Sequence, residues 1–395
     1  MAESAVELPT GRTPGRPFDP PAELTRISVE APLNPLAFPD GHEGWLATGY
    51  TTVRSVLADR RFSSRSELMH PLLPGYEGAV PPPAQPGAFL DMDAPEHTRY
   101  RRLLAGKFTV RRMAQLAKRI EQVAAEHLDA MERHGGPIDL VPAFAQPIPA
   151  MVICELLGVP YADRERFQAD AAKLFGVDAT PEEQYEAFGA VSAYIRELIT
   201  AKRAEPTDDV LSDLTASELT DDELAGMGAL LLAAGLDTTA NMIALGTFAL
   251  LQHPDQWAAL RADPDLTGPA VEELMRYLTI VPAVARVALE DVELDGRLVK
   301  SGSTVVLASA AANRDPAKFA DPDTLDLRRN PVGHVGFGHG PHQCLGQQLA
   351  RVEMRVAFPA LAARFPGLRL AIPADDVPLR EGADIYGVTT LPVTW

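Results

Sequence analysis

One stretch of this chain limits its fold more than any other: the apolar segment that opens at Thr220-Asp221-Asp222-Glu223 and closes at His253-Pro254. The opening has the order of a capping box, in which a threonine hydroxyl and a glutamate carboxylate satisfy free backbone amides. The closing proline stops a helix. At about 1.5 Å per residue the predicted helix is on the order of 50 Å long, enough to cross a whole domain. Residues 227–251 are apolar enough to invite a membrane reading, but Asp237, Thr238, Thr239 and Asn241 stand in their middle. A charge at that depth is costly in lipid, so the segment reads as a helix buried in protein. Other elements must then wrap around it.

The remaining chain supplies such elements. Apolar residues recur at helical spacing over 110–132, and a second helix over 144–157 meets the stop Gly158-Val159-Pro160. Residues 161–205 predict two further helices, and 269–277 and 347–364 one each. Strand-like alternation occurs at 284–289, 292–294 and 304–307, with turn residues at Asp295-Gly296 and Ser301-Gly302. The proline cluster Pro81–Pro83 and Pro86 marks a long loop over 63–91. The fold class is mainly α with a small antiparallel β region. Residues 1–395 read as one catalytic domain, with 1–20 an extended, proline-rich lead-in. A formal net charge of −18 argues against a general affinity for nucleic acid or anionic membrane. The two cysteines, Cys154 and Cys344, are too few for a disulfide framework, and the N-terminus lacks an apolar leader. The expected location is cytoplasmic.

Residues 337–346 read FGHGPHQCLG. Gly338, Gly340 and Gly346 allow sharp turns and close backbone approach. Such a loop can aim several amide N–H groups at one sulfur, and the helix that follows adds its dipole; both favour a thiolate. Cys154, in an apolar helix, reads as a small buried hydrophobe. A rival for Cys344 is zinc, since His334, His339 and His342 crowd the same region. That reading leaves the glycines and Phe337 unexplained.

The segment resembles the cysteine-ligand signature of cytochromes P450, with every fixed position filled by Phe337, Gly338, Gly340, His342, Cys344 and Gly346. The resemblance implies the cytochrome P450 fold, its long central helix crossing a haem b whose iron is ligated by Cys344. The thiolate pushes electron density toward the iron and favours O–O cleavage. Phe337 is then expected to pack on the ligand loop and His342 to reach a haem propionate.

Three further motifs agree. Asp and Thr are poor residues inside a helix, and Gly235 costs roughly 1 kcal/mol relative to alanine, so Ala234-Gly235-Leu236-Asp237-Thr238 is locally unfavourable. It resembles the oxygen-activation motif of the family. Thr238 is expected to orient water and dioxygen and Asp237 to relay protons, with Gly235 making room for a ligand and Thr238 opening a groove. Glu273 and Arg276 share a helix face and resemble the family's Glu-x-x-Arg pair, with Arg329 as third member of a structural network. His97 and Arg101 lie four apart on a predicted helix. With Arg286 and His342 they form an expected propionate clamp, while Arg99 and Arg102 read as a solvated face.

The resemblance spans about 45–364 and implies a monooxygenase that inserts one atom of O2 into an apolar small molecule. Electrons then come from a ferredoxin and its NAD(P)H-dependent reductase, and Arg101, Arg102, Lys107, Arg111 and Arg112 offer a basic run for docking. The resemblance also implies a monomer. Its texture is that of actinomycete enzymes tailoring polyketides, especially macrolides. Expected substrate lining comes from 63–91, 174–194, 231–238, 280–285 and 386–390. Three other readings stand beside this one. A peroxide-driven peroxygenase on the same fold has no need of Asp237-Thr238. A haem protein that only binds ligands needs no relay. A zinc-dependent hydrolase would use the His/Cys loop.

Overall fold

The computed structural model describes residues 5–72, 81–108, 110–164, 167, 180–380 and 382–395. The helices are, in chain order, α1 (Ala22–Glu30), α2 (Tyr50–Ala58), α3 (Glu96–Ala105), α4 (Val110–His134), α5 (Pro147–Leu157), α6 (Pro181–Ala204), α7 (Val210–Thr215), α8 (Asp221–Gln252), α9 (Pro254–Ala262), α10 (Thr267–Leu278), α11 (Ser309–Ala312) and α12 (Gln347–Arg364). The strands are β1 (Leu33–Ala37), β2 (Glu43–Ala47), β3 (Phe62–Ser63), β4 (Ile138–Asp139), β5 (Val284–Ala288), β6 (Val292–Leu294), β7 (Arg297–Val299), β8 (Thr304–Leu307), β9 (Arg369–Leu370) and β10 (Pro392–Thr394).

The long helix α8 has the capping box that the sequence predicts. The Glu223 amide donates to Thr220 Oγ1 at 3.2 Å, and the Thr220 amide to Glu223 Oε2 at 2.8 Å. Among the described residues it is the one helix long and apolar enough to cross a membrane. Its walls are instead packed by α5, α6, α9, α10 and α12. Arg99 and Tyr100 of α3 both donate to Glu223, tying α3 to the start of α8. Arg99 is thus a tether between helices, not only part of a solvated face.

The helix predicted over 144–157 is preceded by a π-turn, Val141–Ala145, and α5 ends at Gly158 with φ +67°. Glycine is needed there: it has no Cβ to penalise the left-handed region. Of the two helices expected over 161–205, α6 accounts for the second; most of the first lies outside the described residues. Positions 73–80 of the long loop also lie outside them.

The main sheet has the order β1-β2-β8-β5-β3. Three of its pairings are antiparallel, and β2 with β8 is parallel, Trp45 facing Val305. Strands so far apart in the chain need no tight turn between them, so either direction is open. The hairpin β6–β7 turns at Asp295-Gly296, both with positive φ (48° and 73°), as a tight two-residue turn demands. The lead-in is extended and docked: Val6 bridges to Leu36.

Candidate active site

The cysteine loop is closed by its own backbone. The Cys344 amide donates to Phe337 O at 2.9 Å, and Gly338 and Gly340 take φ of +67° and +73°. A Cβ on Gly340 would stand 2.4 Å from Leu57 O, so α2 lies directly against the loop. Gly346 has an ordinary backbone, and a Cβ there would meet nothing within 4 Å. The sharp turn expected of Gly346 is therefore absent. Phe337 is buried with the Arg351 guanidinium of α12 4.4 Å above its ring.

The sulfur of Cys344 is held by mixed forces. Burial pushes the thiol up, against the Gly346 and Gln347 amides, Arg101 and Arg351. The loop by itself does not make a free thiolate, because desolvation of the charge outweighs two amides and two cations. An iron ligand removes that difficulty, since a coordinated thiol is deprotonated outright. Cys344 is exposed although protein atoms crowd around it, so it borders open space at the end of the loop. Ala234 behaves likewise: it is exposed at the middle of α8, where Leu231, Leu232, Leu236 and Thr239 are buried.

Two arginines and two imidazoles converge beside the loop. The rings of His97 and His342 lie 4.0 Å apart. His97 is 3% exposed, and its Nε2 has no hydrogen-bond partner among the described residues. Burial, His97, Arg286 and Arg101 together push His342 down to about 3. Arg286, on β5, is lowered by burial although Asp93 and Asp91 oppose it. Arg101 donates to Gln343 O and approaches the sulfur. His97, Arg286 and His342 border a hollow of about 690 Å³. Two arginines and two imidazoles, one with an orphaned nitrogen, offer the hydrogen-bond donors that a flat cofactor with two carboxylates would take up. A separate groove of about 580 Å³ between α4 and α12 contains none of these residues.

On α8, Thr238 Oγ1 donates to Ala234 O at 2.8 Å. The helix stays continuous across it, so the hydroxyl back-bonds one turn up instead of breaking the helix. A Cβ on Gly235 would meet Ile153 Cδ1 at 2.5 Å. Gly235 therefore seats α5 against α8; the room it makes is filled by protein, not by a ligand. Asp237 turns to a residue that the sequence reading missed. Arg380 Nη1 donates to its two oxygens at 2.8 and 3.0 Å, and Asn241 Nδ2 donates to Oδ1 at 3.0 Å.

The three residues of the expected bracing network converge on one carboxylate. Arg276 donates to both oxygens of Glu273 at 2.8 Å, and Arg329 Nε to Oε1 at 3.0 Å. A second brace stands beside it. Glu272 accepts from Arg351 of α12 at 2.6 and 2.9 Å and pairs with His334 Nε2 at 3.0 Å. Burial pushes this carboxyl up, but the His334 and Arg351 hydrogen bonds overcome it and hold it at about 2, below the ordinary 4.5. A depressed folded value gives stability that is full above about pH 4.5 and is lost as pH falls toward 2, at most about 3 kcal/mol. Glu272→Gln removes that pH-dependent stabilisation. We expect urea midpoints to drop less between about pH 6 and pH 3 in the variant than in the parent.

The basic run is largely spent internally. Arg112, 8% exposed, donates to Asp213 at 3.0 Å and Asp208 at 3.3 Å, and Arg111 reaches Asp208 at 3.3 Å. Arg101 faces the cysteine loop. Arg102 is exposed.

Comparison with known proteins decides what this site belongs to. The family described as "Cytochrome P450" matches residues 45–368. The chain belongs to the cytochrome P450 family. It is 52% identical over 381 residues to "Cytochrome P450 105C1" of a Streptomyces species, covering 96% of each chain. It is 46% identical over 396 residues to "Pentalenic acid synthase" of Streptomyces avermitilis, covering 99% of this chain and 97% of the relative. The solved structure of CYP105P1 in complex with filipin I superposes with a TM-score of 0.91 at 44% identity, over 99% of each chain. This cytochrome P450 is a monooxygenase, and its family holds haem b through a cysteine. The zinc-hydrolase reading is thereby overturned. His334 pairs with Glu272 and His342 stacks on His97, and the described residues contain no group of three or more His, Cys, Asp or Glu able to hold a metal.

Proposed function

We propose that this cytochrome P450 holds haem b on Cys344, with His97, Arg101, Arg286 and His342 around the propionates. It inserts one oxygen atom of O2, as an alcohol or epoxide, into an apolar secondary metabolite of polyketide or macrolide type. The observation that carries the assignment is the sulfur of Cys344, enclosed yet accessible at the end of the loop 337–346. Cys154 is fully buried within α5 and offers no such face. When bound, the haem supplies dioxygen activation, with the thiolate favouring O–O cleavage. This chain's own residues orient and protonate. Thr238 presents a hydroxyl beside Ala234, and Asp237 is the acid that carries protons inward from solvent. Phe337, Gly338, Gly340 and Gly346 shape the sulfur's surroundings, and Glu273, Arg276 and Arg329 brace them.

Bacterial members of the family generally take electrons from a ferredoxin and its reductase, and we read the same partners here, with NAD(P)H as the source. The exposed Arg102 is the part of the basic run left for an acidic ferredoxin. Secondary-metabolic relatives support the substrate class: one is named for making pentalenic acid, another was solved with filipin I. We read residues 1–395 as a single catalytic domain, monomeric and cytoplasmic. The retained Asp237-Thr238 pair favours O2 over peroxide as oxidant, and turnover over mere ligand binding. The test is the absorption spectrum of dithionite-reduced protein under carbon monoxide. A Soret band strongly shifted to the red is expected; a colourless protein, or a haem band without the shift, defeats the assignment.

A further inference from the structure

We propose that Arg380 is a positioning residue that latches Asp237 and so controls proton entry to the groove beside Thr238; this rests on the reading of Asp237 as the relay acid. Asp237 and Arg380 are each 13% exposed, so the pair is shielded from solvent screening. One nitrogen, Nη1, reaches both carboxylate oxygens, and Asn241 holds Oδ1 from the other side. The Thr238 hydroxyl is meanwhile given to Ala234 O. In this arrangement the two relay side chains face different partners. A proton taken from solvent onto a carboxylate oxygen can reach the Thr238 side only after that oxygen leaves Arg380. Passing the proton on regenerates the carboxylate, and no electron moves in the step.

The latch is built to be held firmly from behind and loosely in front. Arg380 sits on a hairpin closed by the Leu379–Val388 bridge, and its amide donates to Gly387 O at 2.9 Å. That hairpin is pressed on α8: a Cβ on Gly387 would stand 1.8 Å from Asn241 Oδ1. It is anchored by Tyr386, whose hydroxyl donates to Pro17 O at 2.6 Å and whose amide donates to Ile280 O at 2.7 Å. Arg12 stacks 3.5 Å above the same ring. The backbone beneath Arg380 is thus fixed. The guanidinium itself is not fully committed, because its buried Nε–H has no acceptor among the described residues. A side chain with a fixed base and a spare donor can exchange partners without moving the hairpin.

The test uses haem-loaded protein with a plant-type ferredoxin and its NADPH-dependent reductase, without organic substrate. Arg380→Gln removes the latch and is expected to raise O2 consumption about tenfold, a fraction of what general acid catalysis contributes. Arg380→Lys, whose ammonium is a point charge on a more flexible stem, is expected to raise it about threefold. Asp237→Asn slows consumption, and Arg380→Gln/Asp237→Asn behaves as Asp237→Asn alone. The infrared stretch of carbon monoxide on the reduced protein gives an independent readout. Arg380→Gln should shift or split the band, and adding Asp237→Asn should abolish that change. If Arg380→Gln does not retain haem, Arg380→Lys carries both measurements. Arginine variants that match the parent in both readouts, while Asp237→Asn is slow, overturn the latch and leave the relay standing. Asp237→Asn at the parent rate overturns the relay itself.

Discussion

Replacing Cys344 with serine leaves a protein whose reduced carbon monoxide complex has lost the red-shifted Soret band. The substitution keeps the size of the side chain and the turn geometry, since the loop is closed by the Cys344 amide on Phe337 O and not by the sulfur. What it removes is the soft anion. A serine hydroxyl in the same place meets the same burial that already pushes the Cys344 thiol up, and it starts from a far weaker acid. Oxygen insertion supported by ferredoxin is expected to fall on the order of a thousandfold or more, equivalent to ~4 kcal/mol of barrier. Circular dichroism and thermal melting of the haem-free protein should match the parent. Cys154→Ala is the control: Cys154 is 0% exposed within α5, so that variant should melt earlier yet keep the red-shifted band. Loss of the band in Cys154→Ala with retention in Cys344→Ser would reverse the assignment.

What could be read from the chain beforehand follows the range of the signals. The capping box at Thr220 and Glu223 and the closing of α5 at Gly158 are local, written within a few residues of the structure they specify. The face shared by His97 and Arg101 needs only the helical repeat, and the cysteine loop is contiguous. Long-range pairings carry no such mark. Arg380 is 143 positions from Asp237, on a short hairpin without periodicity, and nothing in its neighbours announces an ion pair. Gly235 looked like room for a ligand because its counterpart, Ile153, is on another helix. Glu272 was passed over beside Glu273 because neighbours on a helix face about 100° apart, and only packing shows that both faces find arginine. The basic run read as a docking patch until Asp208 and Asp213 folded back on Arg112. The family was legible because the cysteine loop and the Asp237-Thr238 motif are contiguous in sequence; the partners of Asp237 and Glu272 are tertiary.

Glu273→Ala is expected to destabilise the haem-loaded protein by about 3–5 kcal/mol, a large share of the 5–15 kcal/mol typical of a folded domain. Glu273 and Arg276 are both 0% exposed, so truncation leaves a guanidinium buried without its counter-charge. It also releases Arg329 and the Asp326 amide, which donate to the same carboxylate. Removing both charges, as Glu273→Leu/Arg276→Met, should cost less than the sum of the single changes, because no unpaired ion remains. It should not restore the parent's stability. Arg276 also donates to Asn313 O at 2.9 Å and Pro322 O at 2.8 Å, and those carbonyls would be left without that donor. Asn313 in turn receives the Val335 amide two residues before Phe337, so the damage should run into the cysteine loop. Urea unfolding gives the energies, and the fraction of protein retaining haem through gel filtration shows whether the loop has slackened. A Glu273→Ala variant with an unchanged midpoint and full haem retention would mean that the network is not the brace of the ligand loop.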